Sequence, residues 1–238
     1  MPLPTFTLPA RFGGLPRVIT SPCGCEGAMA EERERLRAER SETLRRAWER
    51  TGVPAEYLDV APDRARLESL DLDEGQGLYL HGTRGTGKTM VACAVLKAYV
   101  ARNTDAGGWC SARFVSAPRW LSRMQDMMGR WGDSAEDEFQ RAAGTGLLVF
   151  DDIGKISSRV SDWAVGKMFE LVDARCSGRR PTIYTSKYDL GGLAERLELE
   201  DGDGETSGDI VSRIYRRSVR ERFDGPDMRL VGGSGGSG

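Results

Sequence analysis

The stretch Gly77–Thr89, GLYLHGTRGTGKT, constrains this chain more than any other, because an apolar strand there runs straight into a phosphate-binding loop. Gly82, Gly87, Lys88 and Thr89 fill the pattern G-x-x-x-x-G-K-[ST], and Gly85 and Thr86 add small residues that let backbone N–H groups close around phosphate oxygens. The chemistry needs this spacing. The loop passes into a helix whose positive end faces the anion, Lys88 reaches the β and γ phosphates as a point charge, and the Thr89 hydroxyl can ligate Mg²⁺. A plain glycine-rich turn is the competing reading, and the context argues against it. Leu78–Leu80 precedes the loop, and Met90, Val91, Ala94, Val95, Ala98 and Tyr99 then recur at helical spacing as far as about Arg102.

A second motif fits the first. Gly146–Phe150 is an apolar run ending in Asp151-Asp152, as expected of a central parallel strand with acids at its carboxyl end. Asp151 would hold Mg²⁺, directly or through water, and Asp152 would orient or polarise the attacking water; the competing reading has the two acids cap the next helix. Ser161 caps a helix in which Ala164, Val165, Met168, Phe169 and Val172 face inward, ended by Gly178. Pro181–Ser186 is a further strand whose polar end, Thr185, Ser186 and Lys187, would lie beside Asp151 and point toward the γ-phosphate.

The rest of the chain is less committed. With 238 residues, a net charge of −2, 29% charged and 39% hydrophobic residues, it has room for one α/β domain and a small appendage, with no global push toward nucleic acid. No apolar run is long enough to span a bilayer and no signal peptide is evident; with five cysteines scattered along the chain, the expected compartment is the cytoplasm. Residues 1–21 read as an extended arm. Cys23 and Cys25 could start a zinc site but lack a second ligand pair nearby. His81 reads as a structural residue or a neighbour of the nucleotide. Ala28–Arg50 is a Glu/Arg-rich helix with apolar positions at Leu36, Leu44, Ala47 and Trp48, either solvated or docked on a partner. Ala55–Leu70 is a short helical and loop connection into a nucleotide domain beginning near residue 60.

Arg113–Ala117 reads as a strand, and Pro118 opens a helix in which Arg119, Arg123 and Arg130 interleave with Trp120 and Trp131. That mix suits either single-stranded nucleic acid or, for the aromatic residues, a core. Glu198–Asp209 reads as an acidic loop. A helix with Arg213, Arg216 and Arg217 follows, either a solvated face or the source of an arginine that neutralises transition-state charge in a neighbouring subunit. A strand near Val219–Phe223 comes next. The tail 232–238, GGSGGSG, reads as an engineered linker.

Taken together, GTRGTGKT at 82–89, LLVFDDIGK at 147–155, SDWAVGKMFELVDAR at 161–175, PTIYTS at 181–186, DIVSRIY at 209–215 and GPDMR at 225–229 resemble the AAA+ ATPases of the DnaC/DnaI helicase-loader type, with the transposition ATPase IstB as kin. The resemblance spans about residues 50–231. It implies a three-layer P-loop α/β fold with a parallel sheet, a minimal or absent C-terminal lid and a helical N-terminal arm over residues 1–59 that grasps a partner. It also implies ATP and Mg²⁺ as ligands. Gly82, Thr83, Arg84, Gly85, Thr86, Gly87, Lys88 and Thr89 match Walker A, and Asp151-Asp152 match Walker B. Arg213 matches the arginine finger acting across a subunit boundary, and Arg229 matches the second sensor.

The implied activity is ATP-dependent loading of a replicative DNA helicase onto single-stranded DNA, with self-association through the ATP sites and DNA contacts from Arg119, Trp120 and Arg123. The alternative is an IstB-like ATPase that assembles on duplex DNA and recruits a transposase. Two departures from the family bear on this. Lys187 stands where the first sensor is usually Asn, and a cation cannot accept a hydrogen bond from water, so hydrolysis is expected to be slow or partly handed to Thr185 or Ser186. The N-terminal region also lacks the four-cysteine module of some loaders.

Overall fold

The computed structural model describes residues 5–7, 18–20, 26–106, 111–127, 134–155, 161–198 and 204–228. The chain divides into two compact units, Met1–Arg45 and Arg46–Gly238. In the first, β1 (Thr5–Thr7) pairs antiparallel with β2 (Val18–Thr20), so the arm read as extended carries a short ladder. Helix α1 (Glu26–Glu49) begins in this unit. Its Glu and Arg residues pair one turn apart, Arg35 with Glu32 at 3.2 Å and Arg45 with Glu42 at 3.0 Å. These pairs are exposed and add little each. Leu36 and Met29 stand exposed on the same helix.

The second unit takes in Trp48, which is 2% exposed. Its indole donates to the Leu58 carbonyl at 3.0 Å, and Lys97 both donates to that carbonyl at 2.8 Å and lies over the Trp48 ring. These contacts tie residues 48–58 to α3 (Lys88–Asp105) within the second unit. A 3-10 turn (Ala55–Tyr57) and α2 (Arg64–Glu68) follow, the latter capped by the Asp63 side chain.

Strands β3 (Gly77–Gly82), β4 (Ala112–Ser116), β5 (Leu147–Asp151), β6 (Thr182–Ser186) and β7 (Ser218–Phe223) form one parallel sheet in the order β4-β5-β6-β3-β7. Alternation along the strands sorts side chains to two faces. Tyr79, Leu148, Phe150 and Tyr184 join a core with α4 (Ala117–Met127), α5 (Ser134–Gly144), α6 (Asp162–Ser177), α7 (Leu190–Leu197) and α8 (Glu205–Arg217). Leu78, Leu80, Leu147, Val149 and Ile183, also buried, stand outside that core, and α3 (Lys88–Asp105) packs against β3, β4, β5 and β6. The result is the three-layer α/β architecture expected.

Several boundaries differ from the sequence reading. Helices α5 and α7 were not anticipated, and α8 begins inside the stretch read as an acidic loop. Gly178 does close α6, but at φ −80°; the left-handed turn residue is Arg179, at φ 47°.

One buried charge organises the far end of the sheet. Arg175 is 1% exposed, and its guanidinium donates to the carbonyls of Ala142, Ala143, Thr145 and Pro181 and to the Thr182 hydroxyl. Desolvation lowers its pKa to about 10. It satisfies backbone acceptors at the end of α5 and the start of β6 that would otherwise be buried without donors.

Candidate nucleotide site

The phosphate loop leaves the end of β3 and enters α3 at Lys88. Gly82, Gly85 and Gly87 adopt φ of 124°, 73° and 88°, the left-handed region that a side chain resists. Space forbids a side chain at Gly82 as well, where a Cβ would run into the Phe223 carbonyl, while a Cβ on Gly85 would have to displace the Asp227 carboxylate. The loop is fastened to the chain after β7. The Thr83 N–H donates to Phe223 O at 3.1 Å, and the Met228 N–H donates to Gly85 O at 2.9 Å. Within the loop, the Lys88 ammonium donates to the carbonyls of Gly82, at 2.9 Å, and Thr83, and Thr86 donates to Thr83 O at 2.8 Å. Arg84 is exposed.

Thr89, first in line after the lysine, donates to Asp151 Oδ1 at 2.9 Å. Because β6 lies between β3 and β5, its end also reaches the acids. Thr185 donates to the same Asp151 oxygen at 2.7 Å, and its hydroxyl accepts the Asp152 N–H at 2.8 Å. Burial pushes the Asp151 carboxyl above its ordinary range, while the Thr185 and Thr89 hydroxyls act in the opposite direction. Asp152 has a φ of 61°, a strained position for a residue with a side chain, and its carboxylate pairs with Lys155 at 3.3 Å. The hydroxyl of Thr89 beside the carboxylate of Asp151 is a hard-oxygen donor pair of the kind Mg²⁺ takes while keeping phosphate and water in its other positions. Among the described residues no cluster of three or more His, Cys, Asp or Glu suits a metal held by protein alone.

Ser186, 1% exposed, donates to Ile153 O at 3.1 Å, whereas Lys187 is exposed with its ammonium 4.5 Å from the Tyr188 ring centre. His81 stacks near Tyr79, and burial lowers its pKa. Arg213 is held by Asp173 at 2.7 Å and Asp209 at 3.1 Å, and lies over Phe169. With Arg216 and Arg217 it lines an open cavity of about 550 Å³. Arg229, Cys23, Cys25, Arg130 and Trp131 lie outside the described residues; Met228, next to Arg229, is the residue bonded to the loop.

Of the three residues expected to touch DNA, Arg119 and Arg123 are exposed on α4 and line a cavity of about 240 Å³ with Arg113. Trp120 corrects the expectation of an aromatic platform. It is 3% exposed and packs edge-on to Phe150 at 5.8 Å, so its ring faces the core. The sequence reading also missed Lys155, Asp173 and Arg113. Only Lys155 left a local signal, three residues beyond Asp152.

No family model matches the chain. It is 26% identical over 161 residues to the replicative helicase loader DnaI of Bacillus subtilis (strain 168), a match covering 66% of this chain and 48% of that protein. The chain thus spans about half the length of the curated relative it matches. The crystal structure of the DnaC helicase loader superposes with a TM-score of 0.57 at 23% identity, covering 72% of this chain and 100% of that one. The crystal structure of DnaI gives 0.56 at 21%, covering 74% and 93%. No helix among the described residues is long and apolar enough to cross a membrane. The chain therefore has the fold of the DnaC and DnaI helicase-loader structures, and its sequence is similar to that of one helicase loader.

Proposed function

We infer that this chain is an ATP-dependent loader that holds a replicative helicase through its N-terminal region and helps deliver it onto single-stranded DNA. The observation that carries the ATPase reading is the cluster Thr89–Asp151–Thr185 beside the phosphate loop. Likeness to DnaI and DnaC supports the loader role. Loop N–H groups and Lys88 bind the triphosphate, Lys88 exchanging the Gly82 and Thr83 carbonyls for phosphate oxygens. Thr89 and Asp151 are the residues that would hold Mg²⁺, which when bound supplies positive charge to the phosphates. Asp152 orients the attacking water, and its turn is braced by Thr185.

Arg213 comes from the face of α8 and acts on the triphosphate of a neighbouring subunit once it leaves Asp173 and Asp209, while Arg229 touches the nucleotide of its own subunit. Lys187 meets the γ-phosphate end as a cation and slows turnover. Arg119 and Arg123, with Arg113, contact the phosphates of single-stranded DNA.

The test is a loading assay with the replicative helicase of the source cell and circular single-stranded DNA. Helicase transfer should need this protein and ATP, and should fail with Lys88→Ala. Transfer that is indifferent to the protein, or preferential assembly on duplex DNA, would refute the loader reading.

A further inference from the structure

The last described residues of the chain run along the phosphate loop. Residues 223–228 leave β7 and are fastened to the loop at three points. The Thr83 N–H donates to Phe223 O at 3.1 Å, the Thr83 hydroxyl to Gly225 O at 3.3 Å, and the Met228 N–H to Gly85 O at 2.9 Å. Between the second and third points stands Asp227, half-buried. Its carboxylate is set on Gly85: a Cβ at that glycine would run into Oδ1 and come within 2.6 Å of Oδ2. Gly85, at φ 73°, thus makes the turn of the loop and also leaves the space that the acid fills.

An acid in that place is at odds with the loop's own chemistry. A turn of backbone N–H groups ahead of a helix N-terminus carries a positive field that favours anions. That field favours the Asp227 carboxylate as it favours a phosphate, and the two carry the same sign. By Coulomb's law the penalty on an entering ligand grows with its negative charge. It shrinks when a cation neutralises part of that charge or when salt screens it.

We propose that Asp227, held on Gly85 by the strap 223–228, is a charge gate on the phosphate loop that sets affinity by the net charge of the incoming polyphosphate. The proposal rests on the ATP reading of that loop. The gate penalises a bare triphosphate most, a diphosphate less and a Mg²⁺-bound triphosphate least. Asp227 thereby makes tight binding conditional on charge neutralisation, from a part of the chain distant in sequence from Thr89 and Asp151.

The test is calorimetric titration of ATP, ADP and inorganic tripolyphosphate, each with and without Mg²⁺, into the wild-type protein, Asp227→Asn and Asp227→Glu. Asparagine keeps the shape of the side chain and removes its charge, whereas glutamate keeps the charge. Without Mg²⁺ the asparagine variant should bind ATP and tripolyphosphate about tenfold more tightly than wild type, and ADP by a smaller factor. Mg²⁺ or raised salt should shrink the gain to about twofold, and the glutamate variant should stay close to wild type. Thermal melting controls for folding. Unchanged or weaker affinity in Asp227→Asn would overturn the gate. So would an equal gain for every ligand with and without Mg²⁺, which would mean that the substitution reshapes the loop; either result leaves the ATP reading intact. Failure of the wild type and both variants to bind ATP or tripolyphosphate would overturn both.

Discussion

Thr185 joins the two acids of the site: its hydroxyl donates to Asp151 Oδ1 at 2.7 Å and accepts the Asp152 N–H at 2.8 Å. One side chain on β6 thus steadies the carboxylate proposed for Mg²⁺ and the left-handed turn that carries the second acid. Thr185→Val keeps the shape and removes both bonds. ATP hydrolysis by the variant should fall about tenfold or more, with a smaller change in ATP affinity. Steady-state kinetics beside equilibrium binding would show the split, and full activity would remove Thr185 from the account.

Lys88 and Arg213 should separate binding from hydrolysis. Lys88→Ala should abolish ATP binding. Arg213→Ala should leave binding intact and lower hydrolysis by about a thousandfold, the scale of an arginine finger. With the finger proposed to act in trans, mixing the two variants should restore part of the activity, each supplying what the other lacks. Equal loss of ATP binding in both variants would defeat the finger assignment.

Asp151 gives a prediction with a defined sign. Burial raises its folded-state pKa above the unfolded value, so the native state without nucleotide disfavours the ionised form. The stability this group contributes is therefore full below the unfolded pKa and is lost as pH rises through the folded one. Asp151→Asn removes that loss. The nucleotide-free variant should melt higher than wild type at neutral pH, the gap closing near pH ~3, below the ordinary aspartate pKa, while Mg²⁺-dependent ATP binding disappears. A gap that widens as pH falls would contradict the assigned cause.

Arg175 should matter to folding and not to chemistry. Arg175→Leu leaves the carbonyls of Ala142, Ala143, Thr145 and Pro181 without their shared donor, and should cost on the order of 3 kcal/mol or more in chemical denaturation. A loss well under 1 kcal/mol would mean that water replaces the guanidinium.

Lys187 is proposed as the brake on turnover. Lys187→Asn introduces a group able to accept a hydrogen bond from water, and should raise the turnover number several-fold with ATP affinity little changed. Unchanged turnover would free the lysine of that role.

What the sequence revealed follows from how local each signal is. The phosphate loop, the acids after β5 and the strand at Thr182–Ser186 were legible because spacing and apolar runs lie within a few residues. Helix α5 was not, since its inward residues Ala135, Phe139, Ala142 and Ala143 include only one large side chain. Helix α7 carries Gly191 and Gly192 near its start, which lowers helix propensity; the Asp189 cap and buried Leu193 and Leu197 override it. Trp120 could be read as core or as a stacking platform until the fold set Phe150 against it. Thr185 bridging two acids and Asp173 holding Arg213 are long-range contacts set by strand order and helix packing, and no local pattern announces them.

The most direct test of the central claim is native mass spectrometry of complexes captured with this protein from lysate of its source cell, with ATP and Mg²⁺ present. The account predicts recovery of a hexameric replicative helicase bound to several copies of this chain, with the bound copies reduced for Lys88→Ala. Recovery of a transposase, or of long DNA-bound assemblies without helicase, would contradict it.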